Sequence, residues 1–359
     1  MVNRFWTPRT WIILGGLIFG ILASLLTTWG NPPNMGFCSA CFLRDIVGAL
    51  GLHRADVVQY IRPEIIGLIL GALFSALIFR EFKPRGGSSP LIRFFLGAFM
   101  MIGALVFLGC TVRAPLRLAG GDLNAITGLI GLVAGVIVGI QFLKKGFNLG
   151  RTGKVSRLTA FILPVVALAL LLFIIFQPSF IFSSLKGSGS QHALMLVSLL
   201  AGVVIGFIAQ KTRMCFAGGW RDIFLVRNFY LASGIIAFFV GALVTNYLTG
   251  NFASGFYHWG FENQPIAHND HLWNFFSLTL VGLAATLLGG CPLRQMVLAS
   301  EGDTDAGITF WGLAAGAAFA HNFFLASSPN GPSAFGPVAV IIGLVFCLLI
   351  GFSMIERAK

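Results

Sequence analysis

Four cysteines sit where chemistry would need them, each at the end of an apolar run and each inside a motif that the chain writes twice. Gly109-Cys110-Thr111-Val112-Arg113 returns as Gly290-Cys291-Pro292-Leu293-Arg294, and the echo continues from Leu118-Ala-Gly-Gly-Asp122 into Leu298-Ala-Ser-Glu-Gly-Asp303. Upstream of each copy lies a second echo. Phe37-Cys38-Ser-Ala-Cys41-Phe-Leu-Arg44-Asp45-Ile46 matches Met214-Cys215-Phe-Ala-Gly-Gly-Trp-Arg221-Asp222-Ile223. Glycine and proline at such points break a helix and free backbone N–H groups. Free N–H groups at a helix start attract an anion. A cysteine there adds a soft, polarisable sulfur with a weak S–H donor, or a thiolate where positive charge lowers its pKa. Four sulfurs at repeat-related positions suit a soft solute, either a reduced sulfur or selenium species or a soft metal ion. A lone buried cysteine is a small hydrophobe, and Cys347, which has no repeat partner, reads as packing.

The segments that must position these sulfurs are spans. The chain has 359 residues, 57% hydrophobic and 10% charged, with a mean hydropathy of +0.87. A soluble domain has no use for that many apolar residues, so the class is an all-α polytopic membrane protein. Apolar runs of spanning length begin at Trp11, Glu64, Ile92, Ala125, Leu158, His192, Tyr230, Trp273, Ala306 and Phe335. They predict about ten transmembrane helices plus short re-entrant or half-helices. The first run is too long for a signal-peptide core and is kept as a mature helix. Six cysteines without paired spacing in outer loops do not read as a disulfide framework.

The formal net charge of +12 needs no nucleic acid. With the N-terminus (Arg4, Arg9) cytoplasmic, the basic loops at Arg80–Arg93, Lys144–Arg157 and Lys211–Arg227 fall inside, as do Arg294, Arg357 and Lys359. Outside remain Arg44, Arg54, Arg62, Arg113, Arg117 and Lys186, six of the 24 Lys and Arg. Both termini are expected in the cytoplasm of a bacterial cell, in its inner membrane. Residues 1–145 form a first repeat, 146–190 a linker with an extra span, 191–325 a second repeat, and 326–359 a last span and short tail. The odd linker helix inverts the second copy, an architecture used by transporters with a site at the midplane. Cys38 and Cys110 then enter from outside, Cys215 and Cys291 from inside.

The charged partners of the motifs are expected to support this path. Arg113 and Arg294 bias it towards anions, Gly109 and Gly290 permit the breaks, and Arg44/Asp45 and Arg221/Asp222 recur as pairs. Each Asp is read as capping a half-helix or pairing an Arg of another motif, because unpaired charge near the membrane is costly. Cys38-Ser-Ala-Cys41 is also a C-x-x-C, so a redox pair is the rival reading, although the repeat partner of Cys41 is Gly218. His258, His268 and His271 share a loop with Glu262 and Asp270, but a solvated loop explains them and no metal site is assigned. No cofactor is called for.

The two Cys-x-x-x-x-x-Arg-Asp motifs and the paired Gly-Cys segments resemble the YeeE/YedE family of membrane proteins over nearly the whole chain. The run from Asn31-Pro-Pro-Asn-Met-Gly-Phe-Cys38 to Tyr60-Ile-Arg-Pro-Glu64 looks closest to the YedE branch associated with selenium metabolism. The resemblance implies a non-enzymatic transporter. Family members include thiosulfate uptake proteins in which cysteines along a central path pass the anion through S–H contacts. That implication falls on Cys110, Cys215 and Cys291, with Cys38 as the fourth. It also implies a cytoplasmic sulfur or selenium carrier of the TusA/YedF type as partner. The resulting expectation is uptake of a small selenium- or sulfur-containing solute, with thiosulfate uptake or a Cys38/Cys41 thiol-disulfide oxidoreductase as alternatives.

Overall fold

The computed structural model describes residues 7–356. Arg4, Arg357 and Lys359 of the charge pattern lie outside the described residues. The protein is an all-α polytopic membrane protein whose ten longer helices follow the ten apolar runs. They are α1 (Pro8–Thr28), α3 (Pro63–Ile78), α4 (Pro90–Val106), α6 (Asn124–Lys144), α8 (Ile162–Phe176), α9 (Met195–Thr212), α11 (Tyr230–Leu248), α12 (His271–Leu288), α14 (Thr304–Asn322) and α15 (Gly336–Ser353). Among the described residues, six stretches are long and apolar enough to cross a membrane: α1, α6, α9 with its continuation, α11, α12 with its continuation, and α15. The shorter α3, α4 and α8 are apolar apart from Glu64 and Ser75 in α3 and Arg93 in α4. Between them lie the short helices α2 (Ser39–Ala49), α5 (Arg113–Ala119), α7 (Arg157–Ala160), α10 (Phe216–Val226) and α13 (Pro292–Ser300). Two two-residue strands, β1 (Arg85–Gly86) and β2 (Gly153–Lys154), pair antiparallel and tie two loops together.

Prolines set several helix starts. Pro8, Pro63, Pro90, Pro292 and Pro337 stand in the first two positions of their helices, where the missing N–H would be unbonded anyway. Two expected spans start three or four residues later than their apolar runs, α9 at Met195 rather than His192 and α8 at Ile162 rather than Leu158. Leu158 belongs to the single turn α7, and α8 begins only after Phe161.

The helices pair across the two halves of the chain: α1 with α11, α3 with α9, α4 with α14, and α6 with α12. Glycines allow these close approaches. Gly16 abuts the carbonyl of Gly234 and Gly20 that of Phe238, while Gly131 and Gly135 abut those of Phe275 and Thr279. Residue numbers rise together along these seams, so each pair runs parallel. The helices α1 and α9, each of which precedes a Cys38- or Cys215-type motif, run oppositely. Gly15 near the start of α1 meets Ile208 near the end of α9, whereas Gly30 after α1 meets His192 before α9.

Gly20→Val places a side chain against a backbone carbonyl that cannot rotate away. It is expected to destabilise the protein by about 1–3 kcal/mol, read as a lower unfolding temperature in detergent. Gly307→Ala, where nothing lies within 4 Å, should leave that temperature unchanged or raise it slightly.

At the centre, four phenylalanines join the elements that carry two of the cysteine motifs. The Phe19 ring lies 5.2 Å from Phe37, 6.1 Å from Phe216 and 4.9 Å from Phe238, edge-on in each case. Phe37 precedes Cys38 and Phe216 follows Cys215, so one buried hub fixes both helix starts.

Candidate functional site: two buried thiol pairs

Each short helix that follows a cysteine motif begins at or just after its thiol. Cys38 is the N-cap of α2 (φ −148°, ψ 111°) and Cys215 the N-cap of α10 (φ −150°, ψ 117°). Their sulfurs accept from the N–H three residues on, Cys41 N and Gly218 N, both at 3.2 Å. The same geometry at both sites, 177 residues apart in a chain with no other reason to repeat it, matches the sequence echo. Cys291 caps α13, with Pro292 at its first position. Cys110 lies three residues before α5, and its sulfur faces the backbone N–H of Arg113 and of Ala40. A sulfur therefore stands where a Ser or Asp oxygen ordinarily caps, in the positive field of backbone donors.

The thiols meet in pairs. Cys38 Sγ donates to Cys110 Sγ at 3.6 Å, and the Ser39 hydroxyl lies 3.4 Å from the same sulfur. Cys215 Sγ accepts from Cys291 N at 3.4 Å, and the two side chains interact directly. The Thr111 side chain, next to Cys110, lies close to the Cys291 thiol without a hydrogen bond to it in this geometry. Its hydroxyl is buried without a hydrogen-bond partner. The order across the molecule is thus Cys38, Cys110, Thr111, Cys291, Cys215. All four thiols are free and buried.

Gly109 and Gly290 end the preceding helices alike, their N–H groups donating to Ala104 O and Ala285 O. The bare Cα lets the following arginine fold back over it. A Cβ on Gly109 would lie 3.2 Å from Arg113 Cδ, and one on Gly290 would lie 2.9 Å from Arg294 Cγ.

The two arginines themselves are not equivalent. Arg294 Nη1 pairs with Glu301 at 3.1 Å. Arg113 is wholly buried and faces no carboxylate among the described residues. Its donors go to the carbonyls of Asn34 (2.7 Å), Ile266 (3.0 Å) and Leu108, and Nη1 reaches Cys41 Sγ at 3.6 Å. A guanidinium whose partners are carbonyl groups and a thiol sulfur has no carboxylate to offset its charge beside the Cys38/Cys110 pair.

The residues of the Arg-Asp pairs meet mostly within their own motifs, which corrects the expectation of pairing between motifs. Arg44 binds the adjacent Asp45 at 2.6 Å and Arg221 the adjacent Asp222 at 2.8 Å. Asp122 binds Arg117 at 2.6 Å. Asp303 does cap a helix, accepting from Ala306 N at 3.0 Å. His268 and His271 point apart: His268 Nε2 meets Val106 O at 2.9 Å in the interior, and His271 lies exposed near Thr127. Among the described residues no group of three or more His, Cys, Asp or Glu is disposed to hold a metal ion.

Residues 1–140 match the sulphur-transport family. That region runs from α1 through most of α6 and carries Cys38, Cys41 and Cys110, in accord with the resemblance read from the motifs. The thiosulfate transporter TsuA of Escherichia coli K12 is 28% identical over 123 residues, 31% of this chain and 30% of the transporter. An uncharacterized protein of Methanocaldococcus jannaschii is 29% identical over 98 residues, 24% of this chain and 93% of that protein. The chain thus spans less than a third of the length of the transporter it matches.

The residues with repeat-related spacing are the ones brought together. Missed by sequence reasoning were Ser39 and Thr111, which face thiols, and Arg62, which binds Asp45 from the next loop at 2.7 Å. The hydroxyls had a signal, since both adjoin a motif cysteine. Arg62 had none, because a single arginine in a loop reads as a solvated charge.

Proposed function

We propose that this protein takes up a small sulfur-containing anion, thiosulfate foremost, by passing it between the two thiol pairs. The observation that carries the reading is the buried line from Cys38 and Cys110 through Thr111 to Cys291 and Cys215. Every thiol on it stands at a helix start, where backbone N–H groups and the macrodipole favour negative charge. Arg113 adds an uncancelled positive charge at one end of the line. Within each pair one thiol hydrogen-bonds to the other, so an anion entering between them would take over an S–H donor that now points at the partner sulfur. Such contacts are individually weak and do not trap it, so transfer without a covalent step fits this geometry better than persulfide exchange.

The family match supports sulfur transport, and the relative named as a thiosulfate transporter supports that solute. A selenium oxyanion or reduced selenium species fits the same soft sites, as the motif resemblance to the selenium-associated branch suggests. In this reading the two halves, 1–145 and 191–325, are inverted repeats joined by a linker holding α8 and followed by α15. The opposite run of α1 and α9 supports that relation. Ten spans place both termini on one side, and the basic loops make that side the cytoplasm of an inner membrane. A cytoplasmic TusA/YedF-like carrier is a natural recipient of the released solute.

The redox alternative has less support. Cys38 and Cys41 are wholly buried, and Cys38 faces Cys110 as well as Cys41. A protein partner exchanging disulfides needs an exposed thiol.

The test is uptake into proteoliposomes of labelled thiosulfate, and separately of labelled selenite. Saturable thiosulfate uptake above protein-free vesicles is the expected result. Entry of selenite alone would reassign the solute within the same mechanism. Entry of neither, with Cys38 and Cys41 cycling between thiol and disulfide, would replace transport by redox exchange.

A further inference from the structure

Among the described residues, the buried acids Asp45, Asp122, Glu301 and Asp305 each face an arginine, and Glu64 does not. Glu64 stands in the first turn of α3, fully buried at the seam with α9. Its Oε1 accepts from Asn31 Nδ2 at 2.7 Å and from the Ser198 hydroxyl at 3.0 Å. Its Oε2 is buried and has no partner.

The surroundings select what that oxygen can bind. The amide of Asn31 is fixed by three bonds: Oδ1 accepts from Ala193 N at 2.9 Å, and Nδ2 also donates to Gly36 O at 2.9 Å. Asn31 and Ser198 therefore both present donors to Glu64, and no cage of oxygens exists for a metal cation. A proton needs only the free lone pair. The ionisable groups nearby are otherwise engaged. Tyr60 stacks on His192 at 4.2 Å, and Arg62 and Arg44 share Asp45. On α13, Arg294 pairs with Glu301; on α9, Lys211 lies at the far end over Phe79; α8 has no ionisable side chain.

Access and consequence are both present. A cavity of about 670 Å³ is lined by Tyr60, Ile61, Gln177, Ser184, His192 and Ala193. The N–H of Ala193 is bonded to Asn31, so Glu64 lies one residue layer behind that cavity. On the other side, Asn31 holds Gly36 O, two residues before Cys38. An ionised Glu64 makes the Asn31 bond a charge-assisted one, and a protonated Glu64 weakens it. The same proton therefore loosens the segment that leads to Cys38.

We propose that Glu64 takes up a proton from this cavity and carries it with the anion, coupling uptake to the proton gradient. The inference rests on the transport reading. An anion entering against an interior-negative potential moves uphill, and a proton travelling with it cancels part of that charge.

The experiment uses the full-length protein in proteoliposomes with labelled thiosulfate. An outside-acid gradient should raise accumulation by the wild type, up to about tenfold per pH unit for one proton per solute. Glu64→Gln, which resembles the protonated acid, should lose that stimulation yet keep thiosulfate exchange between loaded vesicles and medium. Glu64→Asp should retain the stimulation. A pH dye in the lumen of wild-type vesicles should report acidification when thiosulfate is added, a readout independent of how well any variant folds. Wild-type uptake that ignores the gradient and leaves the dye unmoved overturns the coupling while leaving transport intact. So does a Glu64→Gln variant that is stimulated like the wild type. A wild type that moves neither thiosulfate nor selenite overturns the transport reading, and this inference with it.

Discussion

Serine in place of Cys291 or Cys110 is expected to lower thiosulfate uptake by at least about tenfold, the effect of roughly 1.4 kcal/mol on a barrier. The fold should survive. Cys291 makes no side-chain cap bond that would be lost, and a serine hydroxyl at 110 can still accept from the N–H groups of Ala40 and Arg113. What the substitution removes is the soft sulfur surface and the weak S–H donor that a sulfur anion meets in passing. Cys215→Ser should behave likewise, since Cys215 accepts from Gly218 N and from Cys291 N. Two controls bound the result. Cys347 is buried in α15 with no motif around it, so Cys347→Ser should cost some stability and no transport. Cys41→Ser should be mild, because Cys41 lies off the line beside Arg113. Uptake rates for Cys110→Ser and Cys291→Ser equal to wild type would sink the sulfur line. Equal damage from Cys38→Ser and Cys41→Ser, with Cys291→Ser harmless, would revive the redox pair.

Much of this site was legible because lipid makes membrane sequences speak plainly. Ten apolar runs announced ten helices, and Tyr230 starts α11 as its run begins. The breaks were equally plain, since Gly-Cys and Cys-x-x motifs interrupt runs that would otherwise continue. What one sequence does not carry is which distant segments touch. Nothing in the periodicity of α1 selects α11 over α9 as its parallel neighbour. That choice rests on the matching of Gly16 and Gly20 to carbonyls more than 200 residues away. The same limit hid the inequality of Arg113 and Arg294, which occupy identical places in the two echoes. The second echo is one residue longer and contains Glu301, which neutralises Arg294. The first contains no acid before Asp122, which is taken by Arg117, so Arg113 is left to carbonyl groups. A difference of one residue in a repeat thus makes a symmetric frame electrostatically one-sided.

Asp45→Asn is expected to be the most destabilising single change in the protein outside the seams, at about 3–5 kcal/mol. The carboxylate is fully buried and divides its oxygens between two arginines, Oδ1 to Arg44 and Oδ2 to Arg62. Arg62 lies over the Phe42 ring at 4.6 Å and donates to the carbonyls of Gln191 and Ser188. One residue of α2 therefore locks the approach to α9 and the approach to α3 together. An asparagine keeps the shape but leaves two guanidinium groups in the interior without a counter-charge. Arg44→Met alone leaves Asp45 with Arg62 and should cost less. Adding Arg44→Met to Asp45→Asn should recover part of the loss, because one stranded charge is then gone. Thermal unfolding in detergent, taken through the full double-mutant cycle, measures that coupling. Additive losses would mean the two arginines are held by their carbonyl and ring contacts, and that Asp45 serves only its own helix. Because α2 begins at Cys38, the outcome also decides whether the thiol line is anchored by charge or by packing alone.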